Sequence, residues 1–188
     1  GIEDAGLNVW LEPNDNPKRK LRYSWKLAEL ENGTFIGVDT SLPNKIVGEA
    51  LRLGLLPELQ YAECRPEVKY GTGSRIDFLL SEKGRSDCYL EVKSVTLSRQ
   101  QGLAEFPDSV TKRGTKHMDE LARMVTKGNR AVLLYLVQRN DIDRFAVAGD
   151  IDPEYSQAFL AAKVAGVEVL CYGTSISTDG IRVGDRIA

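Results

Sequence analysis

Arg75-Ile76-Asp77-Phe78-Leu79-Leu80 and Cys88-Tyr89-Leu90-Glu91-Val92-Lys93-Ser94-Val95 read as two consecutive β-strands around a turn at Lys83-Gly84-Arg85-Ser86. Side chains alternate along a strand, so Glu91 and Lys93 share a face. A turn centred on Gly84 makes Asp77 and Glu91 cross-strand neighbours, with Cβ atoms about 5 Å apart. Two ionised carboxylates at that range repel by roughly 3 kcal/mol at an effective dielectric of 20. Lys93, Arg75 or a bound cation must offset this. Mg²⁺ suits such a pair, since it takes one or two protein carboxylates and completes its shell with waters and phosphate oxygens. An ion there would polarise a phosphodiester and acidify a bound water. Lys93 would hold that water or balance charge in the transition state. The same spacing also fits a solvated strand face, with Arg75 against Glu91 and Lys93 against Asp77. A second Glu-x-Lys, Glu67-Val68-Lys69, has no aspartate on an adjacent preceding strand and is the weaker candidate.

Working outward, Ile46, Val47, Ala50, Leu51 and Leu53 recur at helical spacing after Pro43, and Gly54 with Pro57 ends that helix. Glu49 lies at the edge of its apolar face. It either reaches the acid cluster as a further metal contact or pairs on the surface with Lys45 or Arg52. Residues 67–71 form a short extended run, and residues 99–114 read as a loop. Residues 115–127 are helical, with Met118, Leu121, Ala122 and Val125 on one face. The unbroken apolar run 131–137 suits a strand buried on both faces. Asp152-Pro153 starts a helix through Lys163, residues 167–172 form another strand, and the tail from Gly173 is rich in turns. The order from Pro43 onward is αβββαβαβ, an α/β sandwich with helices on a mixed sheet. Before it, residues 1–42 read as short strands joined by turns, with a turn at Asn14-Asp15-Asn16-Pro17 and a hairpin signal at Glu31-Asn32-Gly33. A boundary near residues 40–44 divides the chain into 1–42 and 43–188.

Composition narrows the classes. The 188 residues are 42% hydrophobic and 28% charged, which excludes a collagen-like, coiled-coil or disordered chain. The net charge of −2 means that any nucleic-acid contact must come from local clusters. The three cysteines, Cys64, Cys88 and Cys171, form no CxxC, and His117 is the only histidine, which argues against a Cys/His zinc site. An odd cysteine count suits a reducing cytoplasm. The longest apolar run is too short for a membrane span, and Gly1-Ile2-Glu3-Asp4 shows no signal-peptide pattern.

Two basic clusters stand out. Lys18, Arg19, Lys20, Arg22 and Lys26 lie beside Tyr23 and Trp25, a basic track with stacking surfaces. A charged, solvated hairpin has the same composition. Arg113, Lys116 and His117 sit where a helix N-terminus could meet a phosphate; an ordinary surface helix histidine is the plainer reading of His117.

A string of motifs carries a resemblance. Asn14-Asp15-Asn16-Pro17-Lys18-Arg19-Lys20-Leu21, Thr40-Ser41-Leu42-Pro43-Asn44, Glu67-Val68-Lys69-Tyr70-Gly71, Arg75-Ile76-Asp77, Glu91-Val92-Lys93-Ser94-Val95-Thr96-Leu97, Phe106-Pro107-Asp108 and Arg113-Gly114 with Lys116-His117 together resemble the sugar fermentation stimulation protein (SfsA) family. The match spans nearly the whole chain. It implies an OB-like β segment followed by a PD-(D/E)XK, restriction-endonuclease-like αβββαβ domain. It also implies DNA binding and a link to the regulation of sugar utilisation. The family's catalytic pattern falls on Asp77, Glu91 and Lys93, with Glu49 as the helix-borne acid. Family members carry further strands and a Cys-Pro-Asn-Thr-Gly motif ahead of the Asp-Asn-Pro-Lys-Arg-Lys segment, so residues 1–42 correspond to the end of the OB-like part only.

Two functions follow as expectations. One is a Mg²⁺-dependent phosphodiesterase, with Mn²⁺ as a substitute ion: Asp77, Glu91 and Glu49 hold the metal, and Lys93 completes the catalytic set. The other is a non-catalytic DNA-binding regulator of sugar fermentation genes on a nuclease-like scaffold. In both, Lys18, Arg19, Lys20, Arg113, Lys116 and His117 contact DNA, no membrane is involved, and a homodimer is an allowed assembly. An inverting glycosidase is disfavoured, because its carboxylates stand roughly 6.5–9.5 Å apart.

Overall fold

The computed structural model describes residue 2, residues 6–71 and residues 73–187. Its elements run β1 (Asn8–Pro13), β2 (Tyr23–Glu29), β3 (Phe35–Gly37), α1 (Leu42–Arg52), a 3-10 turn (Pro57–Leu59), β4 (Glu63–Tyr70), β5 (Ser74–Ser81), β6 (Cys88–Val95), β7 (Leu97–Gln100) and β8 (Gly102–Phe106). There follow α2 (Lys112–Thr126), β9 (Arg130–Val137), β10 (Ile142–Val147), α3 (Pro153–Val164), β11 (Glu168–Ser177) and β12 (Gly180–Arg186). Most of the signal-peptide reading, at Gly1, Glu3 and Asp4, lies outside the described residues.

The apolar run from Ala131 to Val137 explains the architecture. It is buried throughout, and it forms β9 in the middle of a six-stranded sheet ordered β12-β11-β9-β6-β5-β4. β9 runs parallel to β6 and β11, whereas β4–β5, β5–β6 and β11–β12 are antiparallel. Helices cover both faces, as a central strand without a polar side requires. On one face Ile46, Val47 and Ala50 of α1 pack with Phe78, Leu90, Val92 and Leu134. On the other, Met118, Leu121 and Met124 of α2 pack with Ile76, Leu133, Tyr135 and Tyr155. A smaller sheet, β10-β8-β7, flanks this core.

Three parts of the sequence reading need correction. Residues 99–114 are not a loop, since β7 and β8 form a hairpin there and α2 begins one turn early, at Lys112. Gly114 looks like a helix breaker but is required: a Cβ there would stand 2.8 Å from Thr111 Cγ2 and 3.0 Å from the Tyr155 ring. Thr111 caps the helix by accepting from the Gly114 amide at 3.0 Å. The tail is not merely turns, because β11 continues to Ser177 and β12 pairs back on it. The strand β10 lies in a stretch whose local pattern signals no element.

The β1-β2-β3 sheet is separate in its pairing from the six-stranded sheet. The Gly37 amide donates to the Gln138 carbonyl at 2.9 Å, and Ile36 bridges Arg139, so β3 is seated on the end of β9. Val9, Trp10, Leu11, Tyr23 and Trp25 of this small sheet remain exposed. Among the described residues, no helix is long and apolar enough to cross a membrane.

Candidate metal-binding and catalytic site

The β5–β6 ladder pairs Leu80 with Cys88, Leu79 with Tyr89 and Phe78 with Leu90. The next positions along both strands are Asp77 and Glu91, as a turn centred on Gly84 demands. Pairing stops there. Instead of a backbone acceptor, the Asp77 carboxylate takes the Val92 amide, with Oδ2 accepting at 2.7 Å. A side chain is thus wedged where the ladder would otherwise continue. The β4–β5 ladder also skips this point: Pro66 pairs with Phe78 and Val68 with Ile76, leaving Glu67 and Asp77 unpaired between them. Glu67 there adopts φ 55°, a left-handed conformation unusual for a residue with a Cβ. The irregularity has a packing consequence. Ile76 joins the α2-side core and Phe78 the α1-side core, although residues two apart on a regular strand share a face.

Asp77 is half-buried. Its second oxygen, Oδ1, accepts from Asn44 Nδ2 in the first turn of α1 at 2.7 Å. Burial, and then the nearby Glu91 charge, raise its pKa above the usual aspartate value, against the Val92 and Asn44 hydrogen bonds.

Glu91 is buried, at 3% exposure. Its Oε1 accepts from Lys93 Nζ at 2.8 Å and is also hydrogen-bonded to His117 Nδ1. Its Oε2 is buried and has no hydrogen-bond partner among the described residues. Burial penalises the Glu91 anion, but the His117 bond and the Lys93 charge outweigh it and hold the pKa below the ordinary glutamate value. A buried carboxylate oxygen with no donor is costly, and a cation is the partner that would satisfy it. Among the described residues no three His, Cys, Asp or Glu side chains form a ready-made metal cluster. An ion here would therefore use two carboxylates and draw its other ligands from water and phosphate, which is the habit of Mg²⁺.

The structure thus brings Asp77, Glu91 and Lys93 to one place, and Lys93 faces Glu91 rather than Asp77. Glu49 is exposed and makes no side-chain hydrogen bond or ion pair among the described residues; the α1 side chain that touches a site acid is Asn44, at Asp77. His117 is not a surface histidine: at 3% exposure it is buried against Glu91. Arg113 is exposed, with Nε 3.5 Å from His117 Nε2. Lys116 Nζ stands 3.8 Å from Glu120 Oε1. Lys18, Arg19 and Lys20 are exposed between β1 and β2, and Arg19 reaches Ser24 at 3.2 Å. Lys26 drops out of that basic track, since Asp39 at 2.5 Å and Glu12 at 3.1 Å neutralise it.

Two neighbours escaped the sequence reading. Tyr70 is 8% exposed, and its hydroxyl is buried without a hydrogen-bond partner among the described residues. Burial first, then the charges of Glu91 and Glu120, raise its pKa. Glu120, 2% exposed, lies one turn after His117. The signal was present: positions 114, 117, 118, 120, 121 and 124 share the inward side of the helix, so a histidine and an acid on it had to be buried.

A family model described as "Sugar fermentation stimulation protein RE domain" matches residues 41–180. The chain belongs to the sugar fermentation stimulation protein (SfsA) family. An SfsA homolog of Dinoroseobacter shibae is 59% identical over 185 residues, covering 98% of this chain and 76% of that protein. The homolog of Caulobacter vibrioides is 46% identical over 188 residues, covering 100% of this chain and 78% of that protein. A solved structure, "The structure of Pyrococcus Furiosus SfsA in complex with Ca2+", shares the mixed α/β fold with a TM-score of 0.85 and 27% identity. The superposition covers 96% of this chain and 76% of that SfsA.

Proposed function

We propose that this SfsA-family chain binds DNA and hydrolyses phosphodiester bonds with a divalent ion, Mg²⁺ or in its place Mn²⁺, held by Asp77 and Glu91. The observation that carries the reading is the buried, donor-free Oε2 of Glu91 beside the half-buried Asp77. The Ca²⁺ in the Pyrococcus SfsA supports a divalent site in the family. On this reading residues 43–188 are a PD-(D/E)XK domain, and residues 1–42 are part of an OB-like unit whose exposed Tyr23 and Trp25 offer surfaces for stacked bases.

The chain's own residues divide the work. Asn44 and the Val92 amide fix both Asp77 oxygens, so the carboxylate cannot swing away. Lys93, with 13% of its side chain exposed, holds its ammonium beside Glu91. There it orients an attacking water and opposes the negative charge that grows on the phosphate oxygens. Arg113 and Lys116 supply positive charge at the N-terminal turns of α2, where a strand's phosphates would pass. The bound ion supplies Lewis-acid polarisation of the phosphate and a more acidic water.

The test is a Mg²⁺ and Mn²⁺ titration followed by cleavage assays on single-stranded, duplex and branched DNA. Divalent-dependent strand scission, stopped by EDTA, is expected. DNA retention with no scission under any of these conditions would overturn the catalytic reading in favour of a binding protein.

A further inference from the structure

We infer that His117 is a positioning residue that turns the Glu91 carboxylate so that Oε2, and not Oε1, meets the divalent ion. The inference rests on the metal site just proposed and names which side chain sets its geometry. An arginine has hydrogen-bond donors only. Arg113 Nε therefore donates to His117 Nε2 at 3.5 Å. An ionised carboxylate only accepts, so the Nδ1 bonded to Glu91 Oε1 carries a proton. Lys93 Nζ, 3.4 Å from that nitrogen, directs its own hydrogen to Oε1 instead. The Nδ1 N–H donates to Glu91 Oε1. Lys93 Nζ donates to the same oxygen at 2.8 Å. Both donors thus converge on Oε1, and none reaches Oε2.

The two donors differ in what they can fix. Lys93 is two residues from Glu91 on the same strand, with a flexible stem, and it follows any movement of β6. His117 comes from a different layer. It is carried by α2, next to the fully buried Met118 and Leu121 of the core. It therefore refers the carboxylate to a frame outside its own strand. Such outer partners of a metal-ligating carboxylate typically govern metal affinity by about 10–100-fold.

The experiment measures Mn²⁺ affinity by calorimetry without DNA, with melting temperature alongside, for the wild type, His117→Asn and His117→Leu. Asparagine keeps an N–H near the Nδ1 position, whereas leucine fills similar space without a donor. His117→Asn should bind Mn²⁺ within about threefold of wild type, and His117→Leu about 10–100-fold more weakly without a matching fall in melting temperature. Because His117 is the only histidine, its imidazole nitrogens can also be followed by NMR: Nδ1 should carry the proton, and its resonance should shift when Mg²⁺ is added. Equal Mn²⁺ affinity in His117→Leu and wild type, or equal losses in the Asn and Leu variants, overturns the inference and leaves the metal site standing. A wild-type chain that binds no Mn²⁺ overturns both. If His117→Leu fails to fold, the Asn variant and the NMR shift decide. A proton found on Nε2 also overturns the inference.

Discussion

Asn44 donates to Asp77 Oδ1 at 2.7 Å, and this contact joins the first turn of α1 to the strand that carries the first site acid. The first helix therefore reaches a site acid through a neutral amide. Replacing Asn44 with alanine should weaken Mn²⁺ binding about 10-fold. Glu49→Ala should change it by less than about twofold. Calorimetry on the two variants checks both outcomes.

Lys93 Nζ sits 2.8 Å from Glu91 Oε1, and on the proposed reading its charge serves the chemical step and not the retention of DNA. Lys93→Ala should lower single-turnover cleavage by about 10²–10³-fold, the usual cost of removing one charge-stabilising donor. DNA affinity, measured by anisotropy, should stay within about twofold. A parallel collapse of both would mean that Lys93 is a binding residue.

Asp39 ties β2 to the start of α1. Its Oδ2 accepts from Lys26 at 2.5 Å, and its Oδ1 from the Ser41 amide at 2.8 Å. Burial opposes the charge, but the Lys26 and Ser41 hydrogen bonds prevail and hold the pKa at about 2, against an ordinary 3.8. A depressed folded-state pKa stabilises the fold fully above the unfolded value, and the gain is lost as pH falls through the folded one. Asp39→Asn should therefore lower the melting temperature at pH 7. The difference from wild type should shrink from pH 4 downward and be nearly gone by about pH 2.

The hydroxyls of Tyr135 and Tyr155 stand 2.5 Å apart in the core between β9 and α3. Both side chains are fully buried. Tyr155→Phe leaves the Tyr135 hydroxyl without this partner, at a cost of about 1–3 kcal/mol. The double change to phenylalanine should cost less than the sum of the single ones, because it removes both polar groups together. Urea melts of the three variants give the coupling directly.

Neutralising Lys18, Arg19 and Lys20 together should weaken DNA binding at low salt. It should also flatten the plot of log K against log salt, by about 0.7–0.9 for each phosphate that the protein no longer neutralises. An unchanged slope would remove the β1–β2 connection from the interface.

The central features of the fold were legible because they depend on local pattern. The run at 131–137 had to be an interior strand, and the turn at Gly84 placed Asp77 opposite Glu91. What escaped depends on tertiary packing. Gly114 falls at the end of the expected loop, and only its closeness to Thr111 and Tyr155 shows why a glycine stands in the first turn of α2. β8 and β10 are parallel partners joined only across α2 and β9, so neither signals the other locally. At the site, strand spacing brought the three residues together and put Lys93 on the face of Glu91, but it could not show that His117 is buried behind that acid. That burial belongs to the placement of α2, whose inward helical stripe carries the signal and not any strand pattern.

The wedge of Asp77 against the Val92 amide has a practical corollary for mutagenesis. Truncating this acid to alanine strips a main-chain donor of β6 of its acceptor, so the lesion spreads into the scaffold that carries Glu91 and Lys93. An inert alanine variant would then confound lost chemistry with a loosened strand. Asparagine retains an oxygen for the amide while discarding the charge, and it is the substitution that isolates the ion-binding role.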